Sequence, residues 1–85
     1  MSSPAWCVYL LECADGTLYT GVASDVERRL AQHNGEKPGG PKYTRGRRPV
    51  RLLWSAPADD RSAAQRREAA IKRLSRADKL KLLSY

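Results

Sequence analysis

The sequence predicts a single small α+β domain, a three-stranded antiparallel sheet flanked by helices, with elements in the order β-β-α-β-α-α. Three observations carry that expectation: two β-rich runs around a glycine turn, capped segments of helical period, and a third apolar run after a Gly- and Pro-rich gap. The 85 residues suffice for one core, and a hydrophobic content of 41% suits a chain that folds. No repeat or shift of composition divides residues 1–85 into further domains.

"WCVYLLEC" (6–13) is rich in β-branched and aromatic types and too short for a helix, so it reads as a largely buried strand. "ADGT" is a hairpin turn, and "LYTGV" (18–22) returns as the second strand. Two registers remain open. A two-residue Asp-Gly loop pairs Glu12 with Tyr19 and sends Tyr9 and Tyr19 to opposite faces. A three-residue loop, with Gly16 at positive φ, pairs Cys13 with Thr17, sets Tyr9 opposite Gly21 and puts both tyrosines on one face. The Ser24-to-Glu27 spacing is that of a capping box, so a helix is expected from near Asp25 to His33 or Asn34. On a helical wheel Val26 and Leu30 lie within about 40° of each other and define the buried stripe. His33 falls about 20° to one side of Val26 and Arg29 about 60° to the same side, whereas Arg28 points to solvent. An arginine and a histidine one turn apart therefore line the core edge. Residues 34–49, "NGEKPGGPKYTRGRRP", read as a long loop; 50–56 is the third strand. Asp60 or Ser62 caps a helix over 61–74, with Ala63, Ala64, Ala70, Ile71 and Leu74 as its apolar stripe, and Ser75 with Asp78 opens a last helix ending near Ser84.

The net charge of +7 is unevenly placed: residues 1–24 contain no Lys or Arg, while residues 25–85 hold all 16. A basic surface of this kind suits a polyanion, usually nucleic acid; solubility is the competing explanation. Cys7 and Cys13 on one strand would sit about 20 Å apart, beyond disulfide reach, and their spacing is not that of a metal site. They fit reduced packing residues of a cytoplasmic protein. The longest apolar run, Ala5 to Leu11, is too short to span a bilayer, and with no basic residue before it a secretory signal is not expected.

Cys7-Val8-Tyr9 and Tyr19-Thr20-Gly21, the hairpin between them, Arg29 ten residues after the second tyrosine, His33, "KYTRGRRP" and a glutamate on the later helix form a pattern. The chain resembles the GIY-YIG nuclease family over nearly its whole length, most closely the small stand-alone members. The resemblance implies metal-assisted hydrolysis of a phosphodiester bond in DNA, in a repair or recombination setting. That chemistry must activate water, align it, stabilise extra negative charge and help the leaving oxygen. Tyr19 matches the tyrosine proposed as general base in the family, and a phenol needs nearby positive charge for that work at neutral pH. Arg29 matches the arginine that supplies such a field and a planar fork for phosphate oxygens. Tyr9 matches the supporting tyrosine of the first signature. His33 stands where the family has a histidine or tyrosine that orients water or passes protons. Glu68 matches the single carboxylate that holds Mg²⁺ or Mn²⁺, the remaining ligands being waters and substrate phosphate. Taken alone, each residue has a plainer reading: Tyr19 as a strand tyrosine, His33 as a helix-end residue, Glu68 as the i,i+4 partner of Lys72.

Lys42, Arg45, Arg47, Arg48 and Arg51 surround Tyr43, a composition suited to phosphate contacts with an aromatic to stack; the resemblance also allows Tyr43 to point into the cleft. Two departures from the family pattern stand out: Val22 where some relatives have a lysine, and no clear counterpart of a late asparagine. With no targeting domain expected, a protein partner supplying specificity is part of the reading. A nucleic-acid-binding module that cuts little alone is the main rival, and RNA is not separated from DNA by phosphate contacts. Binding to a labelled oligonucleotide is expected to weaken steeply as salt is raised, measured by fluorescence anisotropy; a flat response would assign the charge to solubility.

Overall fold

The computed structural model describes residues 6–84; Ala5, the first residue of the apolar run, lies outside them. Trp6–Glu12 forms β1 and Leu18–Ala23 forms β2, followed by helix α1 (Val26–His33), a single helical turn α2 (Lys42–Arg45) and strand β3 (Arg51–Ala58). Helix α3 (Arg61–Lys72), helix α4 (Arg76–Lys81) and a 3₁₀ turn (Leu82–Ser84) complete the order. The sheet is antiparallel throughout, with β1 central between β2 and β3.

The hairpin takes the three-residue loop. Cys13 N–H donates to the Thr17 carbonyl at 2.9 Å, Gly16 N–H donates back to Cys13 at 2.9 Å, and Gly16 sits at φ 85°, where only glycine is unstrained. The Asp15 carboxylate locks the turn by accepting from Thr17 N–H at 3.1 Å and from the Thr17 hydroxyl at 2.6 Å. Tyr9 therefore opposes Gly21, Leu11 opposes Tyr19, and the two tyrosines share a face.

Strand alternation sorts the core. Tyr9, Leu11 and Cys13 join Ala23 and Val50 in one buried cluster, against which Tyr19 and the α1 residues Val26 and Leu30 pack. Val8 and Leu10, both 0% exposed, point the other way, and α3 packs on β1 and β2 with Ala64 and Ile71 buried. Ala70, expected in that stripe, is exposed.

Four boundaries differ from expectation, each for a local reason. The α1 cap is Asp25, not Ser24: its extended backbone (φ −141°, ψ 98°) lets the carboxylate accept from Arg28 N–H at 3.1 Å, adding a negative charge at the helix start. The long loop contains α2, entered through Pro41 at φ −70°. Strand β3 begins at Arg51 and continues to Ala58, because Trp6 and Cys7 pair with Ala58 and Pro57; on an edge strand the missing proline N–H costs nothing to the ladder. Helix α3 stops at Lys72, with Asp60 as its cap accepting from Ala63 N–H at 2.8 Å, so that Ser75 can cap α4.

The loop is tied to the frame through Asn34, the C-cap of α1. Its amide donates to the Val50 carbonyl at 3.0 Å and accepts from Val50 N–H at 2.7 Å, imitating a strand neighbour at the entry to β3. Replacing Asp25 by Ala is expected to lower stability by about 1 kcal/mol, whereas Ser24→Ala should change it by only a few tenths, as read from urea unfolding midpoints.

Candidate active site

Position 21 determines what can approach the centre of the β1–β2 pair. A Cβ built on Gly21 would lie 2.5 Å from the Tyr9 hydroxyl oxygen and 3.1 Å from the Tyr19 ring, so only glycine admits the Tyr9 phenol across its cross-strand neighbour. Tyr9 is 2% exposed, and its hydroxyl meets His33 Nε2 at 2.8 Å. His33 is itself 0% exposed and its other nitrogen, Nδ1, meets the Thr44 hydroxyl at 3.0 Å. Thr44, also buried, lies 3.3 Å from the Pro41 carbonyl, to which its hydroxyl donates. Strand, helix and loop are thus joined by one buried polar chain.

Tyr19 packs edge-on against His33 with centroids 5.0 Å apart, and its ring centroid is 6.5 Å from that of Tyr9. On its outer side Tyr19 meets Tyr43 at 5.5 Å, and Arg47 stacks over the Tyr43 ring at 4.1 Å. Arg29 is half-buried, its Nη1 donating to Gln32 Oε1 at 2.9 Å and to the Gly39 carbonyl at 3.1 Å. Those bonds occupy one nitrogen of the fork and leave the others for an anion. A groove lined by Val22, Asp25, Arg28, Arg29 and Gln32 opens beside it.

Arg29 and Glu68 both lie within electrostatic reach of Tyr9. Burial pushes the Tyr9 phenol up to about 12; the Arg29 guanidinium beside it pulls the other way, and the Glu68 carboxylate adds to the rise. His33 is pushed down to about 4, first by burial and then by the charges of Arg29 and Arg48. The imidazole is therefore neutral near pH 7, with one protonated nitrogen and one lone pair.

Glu68 lies at the edge of α3 with its side chain 22% exposed, and its Oε2 is 3.4 Å from Lys72 Nζ. This i,i+4 pair exists alongside the influence on Tyr9. Among the described residues there is no group of three or more His, Cys, Asp or Glu side chains that could hold a metal on its own. A lone carboxylate with a second oxygen free still fits a hard divalent cation that keeps its waters and draws further oxygens from phosphate.

The basic loop divides. Lys42, Tyr43 and Arg45 are exposed. Arg47 is held by Asp15 Oδ2 at 3.0 Å and by the Tyr43 carbonyl at 2.7 Å, and Arg48 Nε donates to the His33 carbonyl at 2.7 Å. Arg51 pairs with Glu12 at 2.7 Å. Part of the charge read as phosphate-seeking thus holds the loop to the frame. Sequence reasoning missed Thr44 and the structural bonds of Arg47 and Arg48, since no periodicity marks an internal contact made from a loop. The "KYT" triplet around Thr44 was the one available sign.

This sheet, hairpin and aromatic centre define a nuclease-type domain, and a profile of the GIY-YIG catalytic domain matches residues 5–81. The chain belongs to the GIY-YIG family, a nuclease family whose members generally use divalent metals. A UPF0213 protein of Desulfotalea psychrophila is 53% identical over 72 residues, covering 85% of this chain and 64% of that protein. A UPF0213 protein of Halobacterium salinarum is 56% identical over 72 residues, covering 85% of this chain and 91% of that protein. The solution NMR structure of a UPF0213 protein from Bacillus halodurans is similar at 44% identity and a TM-score of 0.58, covering 93% of this chain and 82% of that one. Among the described residues no helix is long and apolar enough to cross a membrane.

The depressed His33 pKa sets a pH dependence. Below the ordinary imidazole value of 6.5 the unfolded chain takes up a proton that the native ring refuses down to about 4, so stability falls as the pH drops through that window. The loss from this group should approach about 3 kcal/mol when complete. Unfolding midpoints measured from pH 7 to 4 should show it in the parent and lack this component in His33→Gln.

Proposed function

We propose that the chain is a divalent-metal-dependent endonuclease that hydrolyses phosphodiester bonds in DNA, as one domain over residues 1–85, working in the cytoplasm on repair or recombination intermediates. The observation that supports this reading is the meeting of Tyr9, Tyr19 and His33 at one centre, with Arg29 and Glu68 within electrostatic reach of Tyr9. Phosphate binding alone does not require two phenols, a neutral imidazole and a carboxylate around one guanidinium.

In this reading Glu68 holds Mg²⁺ or Mn²⁺, and when bound the ion supplies Lewis acidity to the phosphodiester and its leaving oxygen. The uncommitted nitrogens of Arg29 take the non-bridging phosphate oxygens and stabilise the charge that builds on them. Tyr19, half-buried and packed edge-on against His33, takes the proton from the attacking water as general base. Tyr9 is too buried for direct contact with bulk water and instead fixes the hydrogen-bond pattern of the centre. Exposed Lys42, Tyr43 and Arg45 guide the nucleic-acid backbone, with Arg47 and Arg48 adding field more than direct contact.

A second reading, a nucleic-acid-binding module that cuts only with a partner protein, is favoured by one observation: Lys72 lies 3.4 Å from a Glu68 oxygen and competes for the carboxylate. A panel of labelled DNA and RNA forms, incubated with Mg²⁺, Mn²⁺ or EDTA, separates the two. Glu68→Ala is expected to lower metal-dependent nicking by at least about 10²-fold while retaining binding; equal nicking by parent and variant would overturn the assignment.

A further inference from the structure

Three buried groups on α1, β1 and the loop are linked in a fixed donor order. The Tyr9 hydroxyl meets His33 Nε2 at 2.8 Å, and the single Tyr9 proton goes to that nitrogen whenever Nε2 carries the lone pair. At the far end the single Thr44 proton is directed to the Pro41 carbonyl, so the Thr44 oxygen accepts, and His33 Nδ1 is the nitrogen that donates to it. The Thr44 end thus selects the ring state, and the Tyr9 hydroxyl follows it. Moving the ring proton to Nε2 would take Nε2 away as the acceptor of the Tyr9 proton and draw the Thr44 proton away from Pro41.

We propose that Thr44 is a positioning residue of the site: its buried hydroxyl holds His33 as the Nδ1–H tautomer, so that Nε2 anchors the Tyr9 proton and the Tyr9 oxygen faces the reacting centre as an acceptor. The catalytic part of this inference rests on the nuclease reading above; the tautomer does not. Thr44 touches neither phosphate nor water in this arrangement. Its effect reaches the chemistry through His33, whose carbonyl is held separately by Arg48 at 2.7 Å, leaving the ring's protonation to Thr44. Loss of the hydroxyl frees the ring to protonate at Nε2, which reverses the Tyr9 hydroxyl from donor to acceptor and turns its proton away from His33.

The test uses the intact protein and exploits His33 being the one histidine of the chain. Long-range ¹H–¹⁵N spectra at pH 7 should show a ring protonated at Nδ1 in the parent and in Thr44→Ser, and a shift toward Nε2 protonation in Thr44→Val, which keeps the shape and removes the hydroxyl. On a nicked DNA substrate with Mg²⁺, Thr44→Val should lower kcat roughly ten- to a hundred-fold with KM unchanged, and Thr44→Ser should restore it. A parent ring protonated at Nε2, or a Thr44→Val ring that keeps the Nδ1 proton, would overturn the proposal whatever the protein cuts, and the parent spectrum decides this even if the valine variant does not fold. Equal loss of kcat in the serine and valine variants would also overturn it. A tautomer that switches as expected in a protein that cuts no nucleic acid would uphold the assignment of Thr44 and overturn the nuclease reading instead.

Discussion

A phenol and an imidazole sealed together at the middle of a three-stranded sheet must satisfy each other, because solvent reaches neither. Tyr9 and His33 are 2% and 0% exposed, and an unmade hydrogen bond at that depth costs on the order of 1–3 kcal/mol per group. Much of the local architecture follows from that need. Gly21 has to be a glycine so that the phenol can cross the β2 backbone. The α1 helix has to present its last turn to the sheet, and the loop has to supply a hydroxyl for the second imidazole nitrogen. The same burial holds His33 neutral and Tyr9 protonated across the physiological range, which makes the centre a fixed set of donors and acceptors more than a pair of titrating groups.

Arg29 is the charge around which this neutral centre is built. Its position on α1 follows from the helical period alone, and its side chain is braced by Gln32 and by the Gly39 carbonyl. A braced guanidinium loses less freedom when an anion arrives than a free surface arginine would, so the binding of phosphate oxygens is correspondingly less opposed. The family match and the structural likeness name no substrate, because the relatives reported above are themselves described as UPF0213 proteins.

The periodic parts of the molecule were legible in the sequence. Alternation places Tyr9 and Leu11 on one face, the wheel turns Arg29 and His33 toward the core and Arg28 away, and the strand and helix order is readable except for the α2 turn inside the loop. Register was not, because Asp-Gly serves a two-residue and a three-residue hairpin equally; the Asp15 bonds to Thr17 decide it, and they exist only once the turn has formed. The cap of α1 was misplaced by one residue for a related reason: Ser24 and Asp25 are both good caps, and the backbone angle that selects between them is set by the preceding strand. The loop was the least readable segment. Thr44 lies buried within a stretch whose composition signals solvent, since its burial comes from a partner eleven positions earlier on a helix. As for the candidate site, the resemblance groups Tyr9, Tyr19, Arg29, His33 and Glu68, whereas the bonds that brace Arg29 come from Gln32 and Gly39, which no motif names.

The bond from Arg47 to Asp15 has a consequence for anyone who would transplant this surface. Arg47 lies over Tyr43, holds the Tyr43 carbonyl and reaches the turn between the first two strands, so the cationic segment and the hairpin tip behave as one mechanical part. Grafted onto another scaffold by itself, the segment would keep its composition and lose its shape; carried together with the hairpin, it would bring its own anchorage.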